Sequence, residues 1–122
     1  MRYIVLLKGS QLTEAPPELM QAIMELGGEA AQAGAMIDNA GLAPSAAGAR
    51  VQLSSGHLSV TDGPFAEAKE LISYAIYDVG SKEEAVEWTS RFMALHEKYV
   101  PGWEGECDVL KIFGPEDFPP QA

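Results

Sequence analysis

Asp62, Glu67 and Lys69 lie in one short segment, VTDGPFAEAKE (residues 60–70), around Gly63, Pro64 and Phe65. Carboxylates and an ammonium group this close in sequence can transfer a proton or hold a charged group. Asp62 is therefore the first candidate for a general base, with Phe65, Glu67 and Lys69 as candidate ligand-binding residues. The segment also has a purely structural explanation. Gly63 admits a positive φ, Pro64 fixes its own φ, and Asp62 can cap a short helix opened by Pro64. Glu67, Lys69 and Glu70 equally read as a solvated charged run.

Four residues elsewhere carry similar alternatives. Asp38 sits inside an apolar stretch, where an acid needs a partner or an open pocket unless the strand simply ends there. His96, late on a helix, can transfer a proton near neutral pH or complement the negative end of the helix dipole. Tyr74 and Tyr77 are three apart on a strand and point to opposite faces. We take Tyr74 as the one that offers its hydroxyl to a ligand. Trp88, Phe92 and Trp103 read as core or subunit contacts rather than a ligand box, and His57 reads as a solvated turn residue.

Metal-ligand spacing is absent, because His57 and His96 are far apart and Cys107 has no second cysteine. There is no nucleophile elbow, P-loop or dinucleotide fingerprint. The expectation is a chain with neither metal nor organic cofactor, whose only available catalysis is acid–base work. With 8 Lys and Arg against 18 Asp and Glu, the net charge is −10. Such a chain repels phosphate backbones and anionic lipid, so neither nucleic acid nor a membrane is an expected partner. A single cysteine and the lack of a leader or a long apolar run lead us to expect one cytoplasmic domain.

The elements that must position these residues follow from periodicity. Residues 2–8 form a strand apolar on both faces. Pro16 and Pro17 open a helix, with Glu14 and Glu18 at its positive end and Leu19, Met20, Ile23, Leu26 and Ala30 as its stripe. It runs out near Gly34. Residues 35–42 read as a strand, 50–54 and 58–62 as a hairpin about Ser55-Gly56-His57, and 71–79 as a strong strand. A capping box at Ser81 starts a second helix, with Ala85, Trp88, Phe92 and Leu95 inward. Pro101 and Gly102 break it, 107–113 is the last strand, and 114–122 is a tail expected to lie across a neighbouring subunit.

Without the hairpin the order is βαββαβ, an α+β split-βαβ arrangement with both helices on one sheet face. A second copy is the economical cover for the other face, so a homodimer is expected.

Residues 60–70 resemble the signature of the DGPF (YCII-related) family, written DGPFAETKE or DGPFAEAKE. Residues 3–8, 41–45, 81–88 and 113–118 resemble the family's first strand, mid-chain loop, second helix and tail. The resemblance implies a ferredoxin-like subunit with an inserted hairpin, pairing into a dimeric α/β-barrel. It also nominates Asp62 for an active site. The histidine–aspartate dyad ascribed to better-described YCII proteins does not transfer, because residues 16–33 contain no histidine. Ala68 replaces the commoner Thr. Residues 70–74 are one residue shorter than in many relatives, and a one-residue slip inverts which face each side chain meets.

Two functions are consistent with the resemblance. One is a small cofactor-free enzyme binding a small molecule, with Asp62 as base assisted by His96 or Asp38, in a dehalogenation- or isomerisation-type step. The other is a non-enzymatic regulatory or interaction module, such as a protein partner in an extracytoplasmic-function sigma-factor system.

Overall fold

The computed structural model describes residues 1–10, 15–67 and 69–118. Its elements are β1 (Arg2–Gly9), α1 (Pro17–Gln32), β2 (Met36–Gly41), β3 (Ala49–Ser54), β4 (His57–Asp62), β5 (Glu70–Asp78), α2 (Lys82–Tyr99) and β6 (Gly105–Lys111). Single 3-10 turns occupy Ser45–Ala47 and Pro115–Asp117. Glu14 and the last residues of the tail lie outside the described residues.

One sheet has the order β2-β5-β1-β6 with every pair antiparallel; β3 and β4 form a separate two-stranded ribbon. Central β1 and β5 with β2 and β6 outermost is consistent with the ferredoxin-like arrangement, and the ribbon is inserted between β2 and β5. Alternation along β1 divides the sheet into two faces. Tyr3, Val5 and Leu7 are buried, and the first two join Tyr77, Val79, Ala30 and Ala85 in the core beneath the helices. Ile4 and Leu6 point the other way, in register with Leu110 and Asp108 of β6 and with Ile76 and Tyr74 of β5. Tyr74 and Tyr77 thus occupy opposite faces, as their spacing requires.

Several local expectations need adjusting. Met20 of the α1 stripe is exposed, leaving Leu19, Leu26 and Ala30 as its buried contacts. β2 does not end at Asp38 but continues to Gly41, with an irregularity between Met36 and Asp38. The last strand starts two residues earlier and ends at Lys111. His57 is not at the hairpin tip; it pairs with Ser54 at the start of β4, and Ser55 and Gly56 make the turn with φ of 51° and 77°. Two successive positive φ values are the type I′ geometry that matches strand twist. The shortened stretch before Tyr74 coincides with a bulge: Leu7 pairs with Ser73 but Lys8 with Leu71, leaving Ile72 extra.

Ser81 begins α2 as the sequence implies. Its hydroxyl accepts from the Glu84 N–H at 3.1 Å, while the Glu84 carboxylate accepts from the Gly80 N–H at 2.8 Å. Five of the 8 Lys and Arg are in ion pairs among the described residues, including Arg91 with Glu29, which ties α2 to α1. No helix is long and apolar enough to cross a membrane. Ser81→Ala should cost about 1 kcal/mol and lower the melting temperature by about 4 °C, measured by circular dichroism.

Candidate functional site

The chain leaving β4 folds back onto the Ser45–Ala47 turn. The Gly63 N–H donates to the Gly48 carbonyl at 2.9 Å. A Cβ on Gly63 would lie 1.6 Å from the Ser45 carbonyl oxygen, so the approach admits only glycine. The Ser45 hydroxyl accepts from the Phe65 N–H at 3.1 Å and donates to Glu70 Oε1 at 2.7 Å. Arg50 lies over the Phe65 ring, 4.0 Å from its centroid, and pairs with Glu67. Phe65 and Glu67 are thereby both held against Arg50 of β3.

Residues 63–67 contain no helix, which corrects the capping role considered for Asp62. The Gly63–Pro64 peptide is cis, and the chain continues without helical geometry. Asp62 is the exposed last residue of β4, in register with Ala49. Its carboxylate makes no hydrogen bond or ion pair to any other described residue. Asp38 and Tyr74 are brought together on the open sheet face, where the Tyr74 hydroxyl donates to Asp38 Oδ2 at 2.9 Å. That hydrogen bond raises the phenol pKa, with smaller contributions from desolvation and from the Asp38 charge.

A second grouping forms a cleft of about 490 Å³ beside the C-terminal half of α2, lined by Lys69, Met93, His96, Glu97, Trp103 and Gly105 among others. Its architecture starts from two glycines. Gly9 and Gly105 are paired across β1 and β6. A Cβ on either would come within 2.6 Å or 2.2 Å of the Trp103 ring. The missing side chains leave a slot for the indole, whose Nε1–H donates to the Ser10 carbonyl at 2.8 Å. His96 stacks on Trp103 with centroids 4.9 Å apart and meets the Phe92 ring edge-on at 4.8 Å.

The imidazole is oriented by one bond. His96 Nδ1 lies 3.0 Å from the Phe92 carbonyl oxygen. A carbonyl can only accept, so Nδ1 carries the hydrogen and Nε2 of the neutral ring keeps the lone pair. His96 is only 4% exposed, yet no buried side-chain nitrogen or oxygen among the described residues lacks a partner. Nε2 bonds to no other described residue, and the ring forms part of the cleft wall. Burial lowers the imidazole pKa below 6.5, and the bond to Phe92 only partly opposes it. The same bond joins His96 to a carbonyl near the end of α2, the negative end of the helix dipole considered from sequence. Lys69, on the cleft wall, pairs with Glu106 at 3.3 Å.

The sequence model of the YCII-related domain matches residues 1–95. That span is most of the 122 residues. The chain belongs to the YCII-related family. No curated protein matches it. The family match includes the whole DGPF segment, Lys69 and Met93, and stops one residue before His96. The match therefore bears on the Ser45–Gly63 junction, while His96, Trp103 and Gly105 are features read from this YCII-related chain alone. No group of three or more His, Cys, Asp or Glu suited to a metal occurs among the described residues.

The structure thus sorts the sequence candidates into four places: Lys69 with His96, Phe65 and Glu67 with Arg50, Asp38 with Tyr74, and Asp62 alone. Ser45, Arg50 and the Gly9/Gly105 pair were not singled out from sequence, and Trp103 was read as a core or subunit contact. Only the glycine pair had a signal, as glycines bounding two strands, and pairing them needed the register.

Two measurements check these assignments. Gly63→Ala should lower the melting temperature sharply by breaking the close approach to Ser45, whereas Asp62→Asn should change stability by less than about 0.5 kcal/mol. For His96, the folded state binds its proton less tightly than the unfolded chain. Its contribution is therefore complete above pH 6.5 and lost as pH falls through the lowered folded value. The melting temperature should fall as pH is taken below 6.5, with a smaller fall in His96→Gln.

Proposed function

We propose that this YCII-related protein is a small-molecule-binding homodimer that performs cofactor-free acid–base chemistry, with His96 rather than Asp62 as its base. The observation that supports this reading is the hydrogen bond from His96 Nδ1 to the Phe92 carbonyl, which leaves the lone pair on Nε2 of a ring that lines the cleft. A neutral imidazole at working pH can accept a proton from an O–H, N–H or activated C–H of a bound molecule. Lys69 on the same wall can hold the resulting anion once it leaves Glu106. The substrate class is a weak acid able to delocalise its charge, as isomerisation-type chemistry requires. Two apolar sheet faces meeting about a twofold axis would supply the dimeric barrel.

The net charge of −10 supports a second reading, an interaction module for a basic protein, with a sigma-factor system as one setting. It requires no chemistry in the cleft.

The test is a ligand-observed NMR screen of phenols, carboxylic acids and β-dicarbonyls, followed by solvent deuterium exchange into any bound β-dicarbonyl. Wild type should bind and exchange. His96→Gln should lose about 100-fold or more of the exchange rate, and Lys69→Ala should weaken binding about tenfold, the effect of 1.4 kcal/mol. Exchange that survives in His96→Gln and vanishes in Asp62→Asn would return the base to Asp62. No binding by any compound would favour the interaction module.

A further inference from the structure

The cleft beside α2 carries a charge imbalance that the base and its anion holder do not use. Its titratable lining is Lys69, His96, Glu97 and Glu104. Lys69 is matched by Glu106 at 3.3 Å. Burial favours the neutral form of His96, so the imidazole adds no positive charge near pH 7. Glu97 and Glu104 are both exposed, and none of the ion pairs among the described residues includes either. Lys98, the next cation along α2, lies over the Tyr99 ring, 5.2 Å from its centroid. The wall therefore holds two carboxylates with no described cation paired to them, in a chain that already carries −10.

Two glutamates on a surface are ordinarily no more than a solvated face. The setting of these two is different. Glu97 follows His96 directly on α2, and Glu104 joins Trp103 to Gly105, one of the two glycines that make room for the indole. The packing that places the imidazole thus places the carboxylates as well. His96 is only 4% exposed, and its Nε2 bonds to no other described residue. The cavity of about 490 Å³ is within the range of small-molecule sites, and Trp103 and Met93 give it an apolar surface. Any molecule that meets His96 in this cleft sits beside Glu97 and Glu104.

We infer that the molecule is a cation: a protonated amine whose weakly acidic group faces His96 while Glu97 and Glu104 hold its ammonium. This rests on the acid–base reading above and adds the charge of the substrate. The field of the whole protein draws such a molecule in. In the transfer step an O–H, N–H or C–H bond of the ligand breaks, its proton joins Nε2, and the electron pair stays on the ligand. The ligand becomes a zwitterion with its anionic end toward Lys69, and the new imidazolium has Glu97 and Glu104 nearby to stabilise it.

The experiment titrates the full chain by calorimetry with tyramine, para-propylphenol and para-hydroxyphenylpropionate. They share one phenol and a similar chain but carry a positive charge, none and a negative charge. Wild type should bind tyramine at least about tenfold tighter than para-propylphenol, a ratio between those for a unit charge pair in water and at a protein surface. The propionate should bind weakest, and high ionic strength should narrow the spread. Glu97→Gln/Glu104→Gln, shown by circular dichroism to fold, should lose the preference for tyramine. Tyramine binding no tighter than para-propylphenol overturns this inference and leaves His96 as base. A preference that persists undiminished in the double variant overturns the assignment to Glu97 and Glu104. Binding of none of the three phenols counts against the small-molecule reading itself and overturns this inference with it.

Discussion

Two absent side chains organise the working end of this protein. Because Gly9 and Gly105 face one another across β1 and β6, an indole can lie against backbone where any Cβ would intrude. Trp103 then closes the sheet end and gives the last turns of α2 a flat surface to rest on. His96 stacks there and is desolvated there, and the i−4 carbonyl of Phe92 fixes which nitrogen carries the hydrogen. The basicity and direction of the imidazole are consequences of packing. A larger residue at either glycine would displace the tryptophan first and the histidine with it.

The DGPF segment has a structural role as a joint. Its polar groups are largely spent on a junction: Ser45 bridges the Phe65 N–H and Glu70, and Arg50 covers Phe65 while pairing with Glu67. This junction sets where the ribbon leaves the body of the protein and where Lys69 arrives at the cleft. Gly63 is its tightest point. A segment dense in charged residues can thus serve as a joint.

The strands and helices were legible because burial imposes period. The two-sided apolar run of β1 announced a strand between two layers, and Ser81 with Glu84 announced the start of α2. Helix after Pro64 was misread because the sequence shows that the chain must turn there but not that Ser45 is waiting to receive it. Asp38 looked like a strand end, yet the Tyr74 hydroxyl across the ladder satisfies it within β2. Asp62 and His96 were both visible as candidates. Their difference was not, because it depends on contacts between residues remote in sequence: Trp103 reaches back to Ser10, and β4 ends with Asp62 in solvent.

The ion pairs have a further consequence for what reaches the cleft. With five of the 8 basic residues already committed to acids, the surplus of negative charge is balanced only by ions drawn from solution. Lys69 itself is held by Glu106. An anion therefore approaches the cleft against the field of the whole protein, whereas a neutral molecule does not. Screening relaxes that barrier as ionic strength rises. The acidic surface acts as a filter on the charge of incoming molecules, and dissolved salt sets how strictly it operates.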